Sequence, residues 1–345
     1  MARLTLIAVT LSGTSLATPI PLNSAFCPMS LHTPVIFLIF NRPNVTKQVF
    51  DKIAQARPKT LFIVSDGPRT NHKEDQALVQ ASRAIVDRID WPCDVHRDYA
   101  TENLGCKYRV SSGITNAFDQ VDRAILIEDD CLPNLSFFTF CQDLLERYQH
   151  DDRITVISGN NFQFGRSRTP YSYYFSKYPH CWGWATWRRA WQKLDLEMKR
   201  WPEFRDSGGV KAVADSNTEE DYWTKVFEGQ FSGQINSWGY PWLLTCWSQS
   251  GLTILPDVNL VSNVGFGSGA THTTATESRL ANLRTFELYD IQHPPLVVRN
   301  QIADQFTYSH VFRDPRPRIV RWASKIGKTL QRMENATSRV FRRSA

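Results

Sequence analysis

Between Thr33 and Phe40 the chain reads TPVIFLIF, six apolar side chains in succession, before Asn41, Arg42 and Pro43 break the run. An apolar run without alternation reads as a strand buried on both faces, as in a parallel sheet. The period then changes, and Val45 to Ala56 carries helical spacing. Thr60 to Val64 (TLFIV) is a second buried strand, ended by the turn formers of SDGPR. Helical periodicity returns from Asp75 to Ile89, CDVHRDY reads as a third short strand, and Ser111 to Asp119 as another helix. The strand Arg123 to Ile127 follows and delivers Glu128, Asp129 and Asp130 at its end. This βαβαβ order predicts an α/β fold: a doubly wound, mostly parallel sheet flanked by helices, with its ligand crevice beyond the carboxyl ends of the strands.

Further along, a helix is expected from near Ser136 and a strand from Ile154 to Ser158. The second half is rich in tryptophan, most densely in HCWGWATWRRAW, His180 to Trp191. Trp182, Gly183 and Trp184 are expected in a loop there, with Trp187 and Trp191 on a helix behind it. ILPDVNL gives a short strand before a loop of Gly, Ser and Thr from Gly265 to Thr274. No internal repeat or low-complexity stretch is evident.

Composition is that of an ordinary globular chain, with 42% apolar residues among 345. The net charge of +6 conceals an asymmetry: from Arg313 to Ala345 there are ten Lys/Arg against two acids. The remainder is slightly acidic, which argues against a nucleic-acid-binding body. In that tail Ile319, Trp322, Ile326, Leu330 and Met333 fall three and four apart, the pattern of a basic amphipathic helix suited to an anionic membrane surface. Seven cysteines, odd in number and never spaced CxxC, indicate neither a zinc site nor a disulfide framework, and a reducing compartment fits them best. No apolar run is long enough to span a bilayer. The weakly apolar stretch Leu4 to Ala17 reads either as a poor signal peptide or as an extension ahead of the domain, with Met29 as an alternative start.

Three consecutive carboxylates resist burial unless a cation or a proton compensates them. At a strand end they are either a solvated turn or hard oxygen ligands for Mn2+ or Mg2+, ions that take one or two protein carboxylates and complete their shell with water and substrate phosphates.

Six ordered blocks, FNRP, SDGPR, NLGC, EDDCLP, YPHCWGWATWRRAW and NLVSNVGFGSGATHT, together resemble the bacterial family 2 glycosyltransferases that are similar to N-acetylglucosaminyltransferase I. The resemblance spans about Thr33 to Thr274. It implies the glycosyltransferase A-type fold, a nucleotide-sugar donor, a divalent metal (Mn2+ or Mg2+) and inversion at the anomeric carbon. It further implies that Asp130 binds the metal, with His272 of the glycine-rich loop reaching the metal or the diphosphate. Glu128 and Asp129 would bond donor sugar or ribose hydroxyls, Asp66 would meet the base, and Arg42, Asn103 and Gly105 would complete the donor pocket. Trp182, Gly183, Trp184 and Trp238 would wall the acceptor or sugar pocket. The chain then divides into an N-terminal extension (1–30), a nucleotide-sugar-binding half (31–160), an acceptor-side, Trp-rich half of the same domain (161–312) and the basic tail (313–345).

An inverting transfer needs a general base beside the acceptor hydroxyl. Gly239, in SWGYPW, stands where the family carries an acid. The base is therefore sought in TEEDYW, with Asp221 and Glu220 ahead of Glu219 or the more distant Asp195, although a solvated acidic cluster explains the same residues. The resulting expectation is a metal-dependent inverting glycosyltransferase moving a sugar from a nucleoside diphosphate sugar, with a UDP-sugar as the first expectation, to a glycan or lipid-linked acceptor. It would be cytoplasmic and peripheral at the inner face of the membrane. Two alternatives stand beside it: a nucleotidyltransferase that makes an activated sugar, against which FNRPNVTK lacks a glycine-rich loop, and a catalytically silent carbohydrate- or membrane-binding protein of the same fold.

Overall fold

The computed structural model describes residues 31–266 and 278–313. The N-terminal extension, His272 and the tail beyond Arg313 lie outside the described residues. The alternation expected at the start is present as β1 (Val35–Ile39), α1 (Pro43–Ala56), β2 (Thr60–Ser65), α2 (Asp75–Val86), β3 (Asp94–Tyr99), α3 (Gly105–Phe118) and β4 (Arg123–Glu128). These strands lie in the order β3-β2-β1-β4, with every neighbouring pair parallel. All five residues of β1 are buried because its two faces feed two cores. Val35, Phe37 and Ile39 join Phe50 and Ile53 of α1 on one side, while Ile36 and Leu38 meet Ile114 and Phe118 of α3 on the other. Pro43 opens α1, where its fixed φ suits a helix and its missing N–H leaves no bond unmade.

The second half adds β5 (Cys131–Pro133), α4 (Leu135–Arg147), β6 (Ile154–Ser158), β7 (Tyr173–Ser176), β8 (Trp184–Trp187) and α5 (Arg188–Trp191). Next come α6 (Trp201–Asp206), α7 (Gly209–Val213), α8 (Asn217–Phe231) and α9 (Gly239–Ser248). The described chain closes with β9 (Leu252–Pro256), β10 (Val261–Asn263), α10 (Gln301–Thr307) and a π-helical turn at Tyr308–Phe312. One eight-stranded sheet results, ordered β3-β2-β1-β4-β8-β6-β9-β7, with β10 and β5 forming a separate two-stranded ribbon.

The sheet is mixed, more so than the opening alternation suggests: β8 runs antiparallel to both of its neighbours, β4 and β6, and β7 antiparallel to β9. The segment expected as a loop with a helix behind it is largely that inserted strand. Trp184 to Trp187 are all buried, and only a four-residue helical segment, α5, follows. Alternation explains why: Trp184 enters the α3-side core while Ala185 and Trp187 enter the opposite one.

A buried ionic cluster seals the outer edge. Lys177 Nζ bonds Asp215 Oδ2 at 3.0 Å and Glu219 Oε1 at 2.6 Å. Arg299 pairs with the same Asp215 and with Asp304, which also accepts from the Ser176 hydroxyl and the Lys177 amide. A cation removed from this set would leave carboxylates buried without compensation, which is far costlier than an exposed pair.

Candidate functional site

The ends of β1, β2 and β4 meet on one rim of the sheet, where a cavity of about 300 Å³ opens. Arg42, Asp66, Asn103, Gly105, Glu128 and Asp129, the six residues expected around a donor, all line it. Parallel pairing causes the convergence, because strands running the same way deliver their C-terminal loops to the same edge.

Arg42 holds the acidic pair together. Its guanidinium donates to Asp129 Oδ1 through Nη2 and to Asp130 Oδ2 through Nη1 at 2.9 Å. The Phe40 amide donates to the other Asp129 oxygen at 3.3 Å. Burial is the largest influence on Arg42 and works against its charge, but Asp129 and Asp130 outweigh it and raise the pKa. Burial raises Glu128 well above the ordinary carboxylate range, reinforced by the charges of Asp130 and Asp129. Burial raises Asp129 as well, with Arg42 opposing it. One guanidinium therefore faces three carboxyl groups, and a further cation would relieve the excess.

The donor set suits a hard divalent ion. Among the described residues no group of three or more His, Cys, Asp or Glu converges on a metal position. An ion here would accordingly take one carboxylate, Asp130, and draw its remaining ligands from water and a bound phosphate, as Mg2+ and Mn2+ commonly do. The backbone passes directly over this point: a Cβ on Gly265 would fall 2.2 Å from Asp130 Oδ2 and 2.7 Å from Arg42 Nη1. Only glycine permits that approach. The Val264 amide ties the same segment down by donating to the Asp130 carbonyl at 2.8 Å.

Asp66 corrects the sequence reading. It was expected to meet a base, yet its carboxylate is already saturated: Oδ1 accepts from the amides of Gly67 (2.8 Å) and Leu104 (2.9 Å), and Oδ2 from the Gly105 amide (3.0 Å) and Asn103 Nδ2 (3.1 Å). Asp66 thus supplies the acceptors that the start of α3 lacks. This also explains why α3 begins at Gly105 instead of Ser111, since the stabilising carboxylate comes from a distant strand. Gly67 makes the approach possible, because a Cβ there would lie 2.5 Å from the Glu102 carbonyl.

Several residues of the cleft were missed. Arg69, present in the SDGPR block, stacks its guanidinium 5.4 Å from the Phe40 ring centroid and bonds Asp75 through Nε at 2.6 Å and Nη2 at 2.9 Å. Asn41 Nδ2 donates to the same Asp75 at 2.8 Å, so one buried carboxylate fixes both side chains at the cleft mouth. Hydrogen bonds from Arg69 hold Asp75 well below the usual carboxylate range. Arg109, nearly buried, is tied to Asp98 Oδ1 at 2.7 Å. Asn236, from the α8–α9 connection, is the residue that the second half contributes to the lining.

The aromatic residues expected around an acceptor divide. Trp184 is fully buried and stacks on Trp238, also buried, at 5.8 Å and 18°, with Trp191 and Trp242 completing the cluster. Neither ring is free to cover a sugar, so both are corrected from pocket wall to core. Gly183 adopts φ +70° and lies under Val261, which turns the chain so that Trp184 points inward. Trp182 is half-buried and packs edge-on against Phe266 at 5.6 Å, one residue beyond Gly265, which places it near the Asp130 end of the cleft. The two candidate bases sit on α8, Asp221 exposed and Glu220 half-buried, and neither is among the residues lining the cleft. Their neighbour Glu219 belongs to the buried Lys177 cluster.

No family model matches the chain, and no curated protein matches it. Solved structures resemble it distantly. A UDP-glucose pyrophosphorylase complexed with UDP-glucose aligns with TM-score 0.34 and 9% identity over 65% of this chain and 90% of its own. HddC from Yersinia pseudotuberculosis aligns with TM-score 0.31 and 11% identity over 50% and 86%. A 4-diphosphocytidyl-2C-methyl-D-erythritol synthase from Anaerococcus prevotii aligns with TM-score 0.29 and 8% identity over 57% and 84%. Overlaps this slight carry no argument about what the cleft binds.

Proposed function

We propose that the cleft binds a nucleoside diphosphate sugar with one divalent cation, and that the protein is a transferase acting on it, a metal-dependent glycosyltransferase serving a glycan or lipid-linked acceptor. The observation that carries this reading is Arg42, which lines the cavity of about 300 Å³ together with Asp129, bridging that acid to Asp130 at the C-terminal rim of parallel strands. A cation held by Asp130 would neutralise the charge that gathers on a departing diphosphate. Arg42, relieved of Asp130, would then turn its planar fork to the phosphates, the geometry in which guanidinium binds them best. The apolar walls at Leu38, Val64 and Val110 suit the faces of a base, and Asn41 and Arg69 offer polar groups at its edge. Glu128 and Asp129 remain for sugar hydroxyls.

The same pairing of a cation-binding carboxylate with an arginine would serve a nucleotidyltransferase joining a nucleoside triphosphate to a sugar phosphate. Against it, no glycine stands between β1 and α1, where FNRPNVTK offers Asn41, Arg42 and Pro43 in place of a flexible phosphate loop.

Calorimetric titration of UDP and of UDP-sugars, with Mn2+ and with EDTA, tests the reading, followed by product identification. We expect metal-dependent binding that falls at least about tenfold in Asp130→Asn, the loss of one charge-assisted ligand contact. Slow release of UDP from the donor supports sugar transfer, whereas pyrophosphate release from a triphosphate and a sugar phosphate replaces it with the second reaction. Absence of metal-dependent affinity for any nucleotide overturns both.

A further inference from the structure

Three aliphatic side chains stand far out of the surface where α10 begins. Leu296, Val298 and Ile302 are 70%, 65% and 69% exposed and line one shallow groove beside the edge strand β7. Clustered exposure of this kind is unusual for a surface that faces only water. The strand edge itself is covered, since Phe175 bridges to Arg299, so the side chains and not the backbone are what this face presents.

One helical turn beyond Ile302, on the same side of α10, lies Phe306. Arg166 and Arg168 each place a guanidinium 4.8 Å from its ring centroid. Phe164 packs edge-on to Phe306 at 6.3 Å and carries Arg279 at 4.5 Å. Unlike Arg299, which is engaged by Asp215 and Asp304, these three arginines form no ion pair among the described residues. Asp257 accepts from the Arg168 backbone amide at 2.8 Å, not from its guanidinium. Aromatic rings thus hold three cations that no described carboxylate pairs with, beside three exposed aliphatic side chains. Residues 314–345 contain nine further Lys/Arg against two acids.

We propose that this face seats the folded body on an anionic lipid bilayer, with Leu296, Val298 and Ile302 entering below the headgroups and Arg166, Arg168 and Arg279 meeting lipid phosphates. Interfacial binding of this type combines buried apolar area with attraction to anionic lipid. This surface is separate from the nucleotide cleft and does not depend on how that cleft is used.

The test is sedimentation of the full chain with vesicles of phosphatidylcholine alone and of phosphatidylcholine with phosphatidylglycerol. The parent protein is expected to bind only the anionic vesicles. Binding should weaken at least about tenfold in the triple variant Leu296→Ser, Val298→Ser, Ile302→Ser, whose substitutions all lie at the surface. The triple variant Arg166→Gln, Arg168→Gln, Arg279→Gln should lose roughly fivefold per arginine and show a shallower salt dependence. A chain ending at Arg313 should keep measurable anionic-vesicle binding that the aliphatic variant abolishes. Three results overturn the proposal: aliphatic variants that bind like the parent, a truncated chain that does not bind, or a parent that sediments as a dimer which the aliphatic substitutions convert to monomer without changing vesicle binding.

Discussion

Replacing Asp66 by Asn separates the architectural role seen here from the base-reading role that the sequence suggests. The carboxylate accepts four hydrogen bonds: from the main-chain amides of Leu104 and Gly105 at the start of α3, from the Asn103 side chain just ahead of it, and from the amide of its own neighbour Gly67. Asn keeps one acceptor oxygen, and whichever way its amide turns, an NH2 group faces two donors. Bonds to a charged acceptor contribute about 1.5–3 kcal/mol each, so losing two of them should cost about 3–6 kcal/mol. At about 2 °C per kcal/mol for a chain of this size, the melting temperature should fall by roughly 6–12 °C. Differential scanning calorimetry of Asp66→Asn reads this directly, and a UDP titration well below the melting transition reads the cleft. The reasoning is refuted by a variant that melts within about 1 °C of the parent and yet binds nucleotide ten times more weakly, because that pattern belongs to a ligand contact and not to a helix anchor.

His180 gives a pH prediction. Burial pushes its pKa down to about 3, and its Nε2 has no partner among the aromatic rings of Phe162, Tyr178 and Phe312. The folded state therefore binds fewer protons than the unfolded chain. Its neutral form contributes fully above about pH 6.5, and stability falls as the pH drops from there toward 3, by about 2 kcal/mol at pH 5. Denaturation at pH 7.5 and 5 should show that slope, and His180→Phe should lessen it; an unchanged slope assigns it to other groups. Gly265→Ala probes the site sterically, because the new methyl must part Arg42 from Asp130. Metal-dependent nucleotide affinity should drop about tenfold or more with little change in melting temperature, and full affinity would mean that the ion pair is not part of the binding site.

The residues gathered at the rim were legible because β1, β2 and β4 are continuous apolar runs whose endings are abrupt. Asn41, Asp66 and Glu128 each follow the last buried aliphatic residue by one or two positions, so parallel pairing alone brings them together. What those residues do was not legible. Asp66 looks like any strand-end acid until the loop at Asn103 to Gly105 folds over it. Arg69 was visible in its block, but its partner Asp75 lies six residues on and reads as part of a helix start. Trp184 misled because tryptophan suits both a sugar platform and a core, and its partners Trp238 and Trp242 are more than fifty residues away. The strand it begins carries no alternation signal, being buried on both faces between β4 and β6.

That inserted strand also bears on how the chain matures as it emerges from a ribosome. The strands β1 to β4 can pair as soon as they are made, since each lies next to one already present. Residues 154–158 have no place beside them until residues 184–187 arrive to occupy the gap. Residues 173–176 wait longer still, for 252–256. A nascent chain would thus complete the layer that carries the cleft well before its outer one, leaving the tyrosine-rich 173–176 stretch unpaired for some eighty residues of synthesis, a window in which a chaperone would have the most to protect.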